Sequence, residues 1–320
     1  MEIISPEADA LVSKAERLLR PSILAFRFSA DLDAAAPLLE RAGYIYRSCQ
    51  ASDKAISAFE RAAGVQEKLG GSGGKLLEAC AEVARSSGDF SRAAAYVDRA
   101  ADAYCSSGRV TAGADALSRG GRLLEGSDPL ASAHLYARAC GIWEEEEKEA
   151  LGLDVFRACA SAYVRAGRSR EGAQALERLA RACSNAGSSN SMQKAQLGAV
   201  VAYLHAADGV AAWGAFQAAS SSEGAGGEEL GAAEALLMAY RSGSEDAVHA
   251  CVSSRAIFKL LDNGAARLAF ALPVGDMAAM AGQVEAAMGV ASAGGGGGSA
   301  PGGGDAAGGG AEQEEADELL

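Results

Sequence analysis

The chain has 320 residues, of which 49% are apolar and 6% aromatic, and a formal charge of −13 from 29 basic and 42 acidic side chains. An apolar fraction rich in alanine, with six prolines, favours close-packed helices over strands, and the acidic balance excludes a general nucleic-acid binder. No stretch reaches the roughly 18 uncharged apolar residues of a membrane span, so any membrane contact is expected to be peripheral.

The N-terminus, Met1-Glu2-Ile3-Ile4-Ser5-Pro6, has neither the basic region nor the apolar run of a signal peptide, and a cytoplasmic protein is expected. Pro6 suits the first turn of a helix that Pro21 should stop near Arg20. The next segment, Ile23, Leu24, Phe26 and Phe28 flanked by Arg20 and Arg27, holds four large apolar residues without helical spacing. A second helix should begin at Asp31 or Asp33, just before Pro37, and run through Tyr44 and Tyr46. Ser52 reads as the cap of a third helix, which ends at the glycine run 70–74. Lys75 after that run invites a phosphate-loop reading, but Leu69 and Leu76 stand where glycine and Ser/Thr are needed. The run is therefore expected to be an inter-helix turn.

Further helices are expected at about 73–86, 89–107, 109–125, 128–147, 150–166 and 168–186, with Asp128-Pro129 as the clearest start signal. A short phrase recurs at their centres: Leu39-Glu40-Arg41-Ala42, Phe59-Glu60-Arg61-Ala62, Val97-Asp98-Arg99-Ala100, Leu117-Ser118-Arg119-Gly120, Tyr136-Ala137-Arg138-Ala139, Val155-Phe156-Arg157-Ala158 and, more loosely, Leu176-Glu177-Arg178-Leu179. With a degraded copy at Leu77-Glu78-Ala79-Cys80, the anchor position advances by 18 to 21 residues, one helix and one turn. Two steps make a helical hairpin of about 40 residues, the period of a stacked solenoid. The fold expected over 1–207 is an all-α, right-handed α-solenoid of TPR-like antiparallel hairpins. If alternate helices share a layer, Arg41, Arg119 and Arg157 lie on one face, and Arg61, Arg99, Arg138 and Arg178 on the other.

Beyond about residue 208 the phrase disappears, and 208–272 is expected to form a C-terminal helical bundle. Pro273 is expected to end the order, with 273–311 a disordered Gly/Ala-rich linker and 312–320 an acidic tip. No Lys or Arg follows Leu272.

The chemistry of an enzyme is not visible. His134, His205 and His249 are isolated, none with a ligand at metal-binding spacing, and carboxylates such as Glu144 and Glu147 read as a solvated helix end. The seven cysteines fall about one per helix without a C-x-x-C pair and read as buried thiols. No catalyst, metal or cofactor is expected.

Within 119–140, Arg119-x-Gly121-Arg122-Leu123-x-Glu125 leads into Asp128-Pro129 and Leu135-Tyr136-x-x-Ala139-Cys140. Further on stand Leu236-Leu237-x-x-Tyr240, Phe258-Lys259-Leu260-Leu261-Asp262-Asn263 and Leu268-Ala269-x-Ala271-Leu272-Pro273-Val274-Gly275. In order and spacing these resemble the soluble attachment proteins that link the N-ethylmaleimide-sensitive ATPase to SNARE complexes, and within them the gamma class. The resemblance implies a twisted sheet of helical hairpins with a C-terminal bundle. It also implies an adaptor that binds assembled SNARE complexes and recruits the ATPase for their disassembly in membrane fusion and vesicle transport, peripherally on endomembranes.

The resemblance also implies roles for particular residues. Arg157 matches a position where a basic residue meets the SNARE bundle, and Arg119, Arg122 and Arg165 are assigned to the same surface; as ordinary solvated arginines they would contribute about 0–1 kcal/mol each in a surface pair. Ile23, Leu24, Phe26 and Phe28 occupy the place of a membrane-touching loop, or fold back as a lid over the first hairpin. Glu314, Glu315, Asp317, Glu318 and Leu319 stand where the family contacts the ATPase, although an acidic end can serve solubility alone. A competing reading is a generic TPR-like scaffold or co-chaperone that grips peptide partners, for which the step of about 40 residues is too long.

Overall fold

The structure, a computed structural model, describes residues 5–20, 29–222 and 226–294, the last five of these in backbone alone. The described residues form fifteen α-helices and no strand. They run α1 (Pro6–Leu19), α2 (Leu32–Ser48), α3 (Ser52–Lys68), α4 (Gly74–Ser86), α5 (Phe90–Ser106), α6 (Val110–Leu124), α7 (Pro129–Glu145) and α8 (Leu153–Arg165). Then follow α9 (Ser169–Asn185), α10 (Ser189–His205), α11 (Gly209–Ser220), α12 (Glu228–Arg241), α13 (Glu245–Ser254), α14 (Asn263–Phe270) and α15 (Met277–Gly294).

Local chemistry sets the helix ends. The side chains of Asp31, Asp89, Asp128 and Asp208 each accept the backbone N–H three residues on, at 2.9–3.1 Å, which satisfies a donor the first turn leaves orphaned. Gly70, Gly88, Gly108, Gly167 and Gly187 follow helices with φ of 69–80°, a left-handed closure that costs a residue without Cβ least. Ser52, expected as a cap, is instead the first residue of α3: Ala51 holds the cap position without a side-chain bond. Pro37 lies inside the second turn of α2, where the lost N–H removes one intrahelical bond.

Each helix from α1 to α10 packs on the next, and helices two apart meet again, α4 on α6 and α5 on α7. Short turns between successive helices make such neighbours antiparallel, giving two layers of alternating helices. The anchor phrase explains the packing. Its first residue is buried in every copy (Leu39, Phe59, Val97, Leu117, Tyr136, Val155 and Leu176), the arginine points outward, and the small residue that follows lets helices approach.

The C-terminal part is centred on α10, which contacts α9, α11, α12 and α14. This accounts for its lack of a polar face, with Leu197, Val200, Val201 and Leu204 all buried. Order does not end at Pro273. Helix α15 packs on α11 and α12, burying Met277, Met280 and Val284, and Asp276 Oδ1 accepts the N–H of Ala278 at 2.9 Å near its start. The three buried residues are spaced as one helical stripe, hidden in the sequence among alanine and glycine. The linker expected over 273–311 is thus helical in its first part; residues 295–320 lie outside the described residues. Among the described residues no helix is long and apolar enough to cross a membrane.

Candidate functional site

All but one of the outward arginines of the anchor phrase are ion-paired among the described residues. Arg61 of α3 reaches Glu16 of α1 at 3.0 Å, Arg99 of α5 reaches Glu60 of α3 at 2.6 Å, and Arg138 of α7 reaches Asp98 and Asp102 of α5. Arg178 of α9 then reaches Glu144 of α7 at 2.8 Å. Each pair joins helices two apart, so a ladder of ion pairs runs along the layer of odd-numbered helices. The even layer is joined in the same way: Arg47 of α2 to Glu82 of α4 at 2.9 Å, Arg119 of α6 to Glu78 of α4 at 2.6 Å, and Arg122 of α6 to Asp154 of α8 at 3.0 Å. Arg41 differs in pairing with Glu7 of α1.

The four arginines assigned to a binding surface therefore lie on two neighbouring helices of one layer, α6 and α8. Their electrostatic states differ. Arg119 sets both Nε and Nη2 on one oxygen of Glu78, at 3.1 and 2.6 Å, and Glu78 Oε2 also accepts the hydroxyl of Tyr104 at 3.3 Å. Arg165 lies 3.5 Å from Glu125, whose other oxygen accepts the Tyr136 hydroxyl at 2.6 Å. Burial and, after it, that bond push the Tyr136 phenol well above its usual range. Arg157, half-buried, makes no ion pair or hydrogen bond among the described residues. Its charge is felt by Cys183, whose thiol burial pushes up and Arg157 pulls back. The α6 residue Asp115 is exposed on the same helix as Arg119 and lowers the net positive charge of this surface.

A hollow of about 120 Å³ opens beside Arg119, lined by Glu78, Ala81, Val97, Ala116 and Gly120. A larger polar groove of about 850 Å³ runs beside it past Arg47, Ser52, Glu82 and Arg85. Sequence reasoning missed the acidic partners Glu78, Glu125 and Asp154. A search for carboxylates one repeat, 32 to 41 residues, from each arginine would have found those of Arg119, Arg122 and Arg165. The loop residues Ile23, Leu24, Phe26 and Phe28 lie outside the described residues, as do Glu314, Glu315, Asp317, Glu318 and Leu319.

None of the three histidines sits in a cluster suited to catalysis. His134 packs edge-on against Tyr163 at 6.0 Å, His249 is exposed, and His205 Nδ1 lies 2.9 Å from Ser169 Oγ, its pKa lowered by burial. Among the described residues no group of three or more His, Cys, Asp or Glu could hold a metal ion.

Comparison with known proteins supplies a family. Over 280 residues the chain is 29% identical to the gamma-soluble NSF attachment protein of Arabidopsis thaliana, covering 87% of this chain and 95% of that one. Among solved structures, a circular tandem repeat protein with novel repeat topology aligns over 88% of both chains at 14% identity and a TM-score of 0.35. The family model for soluble NSF attachment proteins matches residues 6–267, a span from the first helix to α14 that takes in both ion-paired layers, and the chain belongs to that family.

Proposed function

We propose that the protein is an adaptor, not a catalyst, that binds assembled SNARE complexes through the α6–α8 face and recruits an NSF-type ATPase to take them apart. It would act in the cytoplasm, peripherally on endomembranes. The observation that carries this reading is Arg157, the one anchor arginine that makes no ion pair among the described residues. A cation already paired in the free protein gives up one partner to gain another. An unpaired one contributes its full attraction to an acidic bundle laid across the face.

Arg119, Arg122 and Arg165 would then set the register of the bundle, with their carboxylate partners able to re-pair. Ile23, Leu24, Phe26 and Phe28 would hold the complex at the bilayer. Such a contact is weak alone and strengthens once the bundle makes it intramolecular. The acidic tip, with Glu314, Glu315, Asp317, Glu318 and Leu319, would engage the ATPase.

The test is reconstituted disassembly of a SNARE complex by the ATPase with this protein as sole adaptor. ATP-dependent release is expected. Its absence, with the adaptor shown to be folded, would overturn the proposal.

A further inference from the structure

One face of the C-terminal part is built unlike the rest of the surface. From Arg255 to Phe270 the chain carries three basic residues, Arg255, Lys259 and Arg267, and one acid, Asp262, in a protein of net charge −13. Lys259 and Arg267 are exposed and make no ion pair among the described residues, whereas basic residues along the repeats are mostly paired. Two of the most exposed large apolar side chains stand in the same stretch, Leu260 at 60% and Phe270 at 48%.

The placement follows from helical geometry. Asn263, Arg267 and Phe270 are spaced by four and three residues and share the outer face of α14, while Ala265, Leu268 and Ala269 are buried behind them. Lys259 and Leu260 stand on the 3-10 turn Ala256–Leu260, just before α14 begins. Helix α14, about 12 Å long, and the turn before it thus present two cations without an ion pair among the described residues and two apolar side chains, in the chain order Lys259, Leu260, Arg267 and Phe270.

The chain itself holds a segment of complementary chemistry. Residues 312–320, Glu-Gln-Glu-Glu-Ala-Asp-Glu-Leu-Leu, carry five acids and two adjacent leucines and no cation. They follow α15 through 17 residues, 295–311, ten of them glycine. A glycine-rich stretch of that length has a root-mean-square span of roughly 21–25 Å, and at full extension reaches about 58 Å. Helix α15 starts six residues after α14 and is about 27 Å long, so the connection can return along it to α14 without being stretched.

We propose that the outer face of α14 and the turn before it is the docking site of the chain's own segment 312–320. Its carboxylates would meet Lys259 and Arg267, and the adjacent Leu319 and Leu320 would cover Phe270 at the end of α14. The docked segment would have to be released before any other protein could take it, so the contact would act as a brake on that encounter. The inference rests on this charge and apolar match and does not depend on the adaptor reading.

Amide hydrogen exchange on the full chain tests it. In the wild-type protein, residues 256–270 are expected to exchange several-fold more slowly than in a variant carrying E314Q, E315Q, D317N and E318Q. K259E/R267E should lose the same protection, and adding E314K/E318K to that variant should restore it, a reciprocal rescue that a nonspecific surface effect would not produce. Protection should be independent of protein concentration. Unchanged exchange in the neutralised variant overturns the proposal, as does failure of the charge swap to restore protection. Protection that rises with concentration also overturns it, by assigning the site to the tip of a second copy.

Discussion

Arg178 holds Glu144 with two parallel hydrogen bonds, Nε to Oε1 at 2.9 Å and Nη2 to Oε2 at 2.8 Å, while the same guanidinium donates to the carbonyl of Ala137 at 3.3 Å. It is the least exposed of the arginine pairs, at 24% and 34% of the two side chains, and joins α9 to α7. A bidentate, partly shielded pair is stronger than a solvated one. Arg178→Ala is expected to destabilise the protein by about 1–2 kcal/mol, and Arg122→Ala, whose pair with Asp154 is mostly exposed, by less than about 0.5 kcal/mol. Denaturant midpoints of the two variants compare them directly, and equal losses would show that shielding does not grade the ladder.

The small residue after each anchor sets how closely helices approach. At Gly120 an added Cβ would overlap the side chain of Val97 on α5, whereas at Gly64 of α3 it would meet nothing within 4 Å. Gly120→Ala should therefore cost about 1–2 kcal/mol, overpacking outweighing the gain in helix propensity. Gly64→Ala should stabilise by roughly 0.5–1 kcal/mol. Adding Val97→Ala to Gly120→Ala should recover part of the loss, and thermal melts of the set would read it.

Burial lowers the pKa of His205 from its ordinary 6.5, and the ring sits against Ser169 where the start of α9 meets the end of α10. The unfolded chain takes up the proton more readily than the folded one. The contribution of the neutral ring is thus fully present above 6.5 and is lost as pH falls through the lower folded value. His205→Gln should lose less stability than the wild type between about pH 7 and pH 5. Melting temperatures measured across that window would reveal it, and parallel curves would refute it.

Much of the fold was legible because each repeat writes its own packing: a buried large residue, an outward arginine and a small residue recur with one helix and one turn between copies. What was not legible depended on contacts between helices. Nothing near Arg119 in sequence marks Glu78, 41 residues earlier, as its partner, and the stripe Met277, Met280 and Val284 has no significance until α11 and α12 supply the surface it covers. The arginines of the candidate face were identifiable, but not which of them was left unpaired, because that is settled by the neighbouring helix.

Phe26 and Phe28 lie outside the described residues, and their assignment to a bilayer contact is tested by substrate. Changing both to Ser is expected to slow disassembly of membrane-anchored SNARE complexes several-fold while leaving soluble complexes nearly untouched, because a weak interfacial contact counts only when the partner is held at the bilayer. Equal loss on both substrates would mean that these rings pack inside the fold.

Arg157 and Arg119 make the sharpest comparison on the α6–α8 face. Arg119 is at 54% side-chain exposure and already bonded to Glu78, while Arg157 is half-buried and unpaired. If exposure decided binding, reversing Arg119 would cost more; if unpaired charge decides it, reversing Arg157 would. Arg157→Glu is expected to weaken binding to a SNARE bundle by about ten-fold, roughly 1.4 kcal/mol. Arg119→Glu should cost less to the extent that Arg119, already bonded to Glu78, must give up that partner to meet the bundle and so contributes less to binding in the wild type. Both losses should shrink as salt rises, because partly exposed charges are screened over about 10 Å at 0.1 M ionic strength. Wild-type affinity for Arg157→Glu across the salt range, with the variant's melting temperature unchanged, would move the binding surface off this face, and a larger loss for Arg119→Glu would make exposure, not pairing, the deciding property.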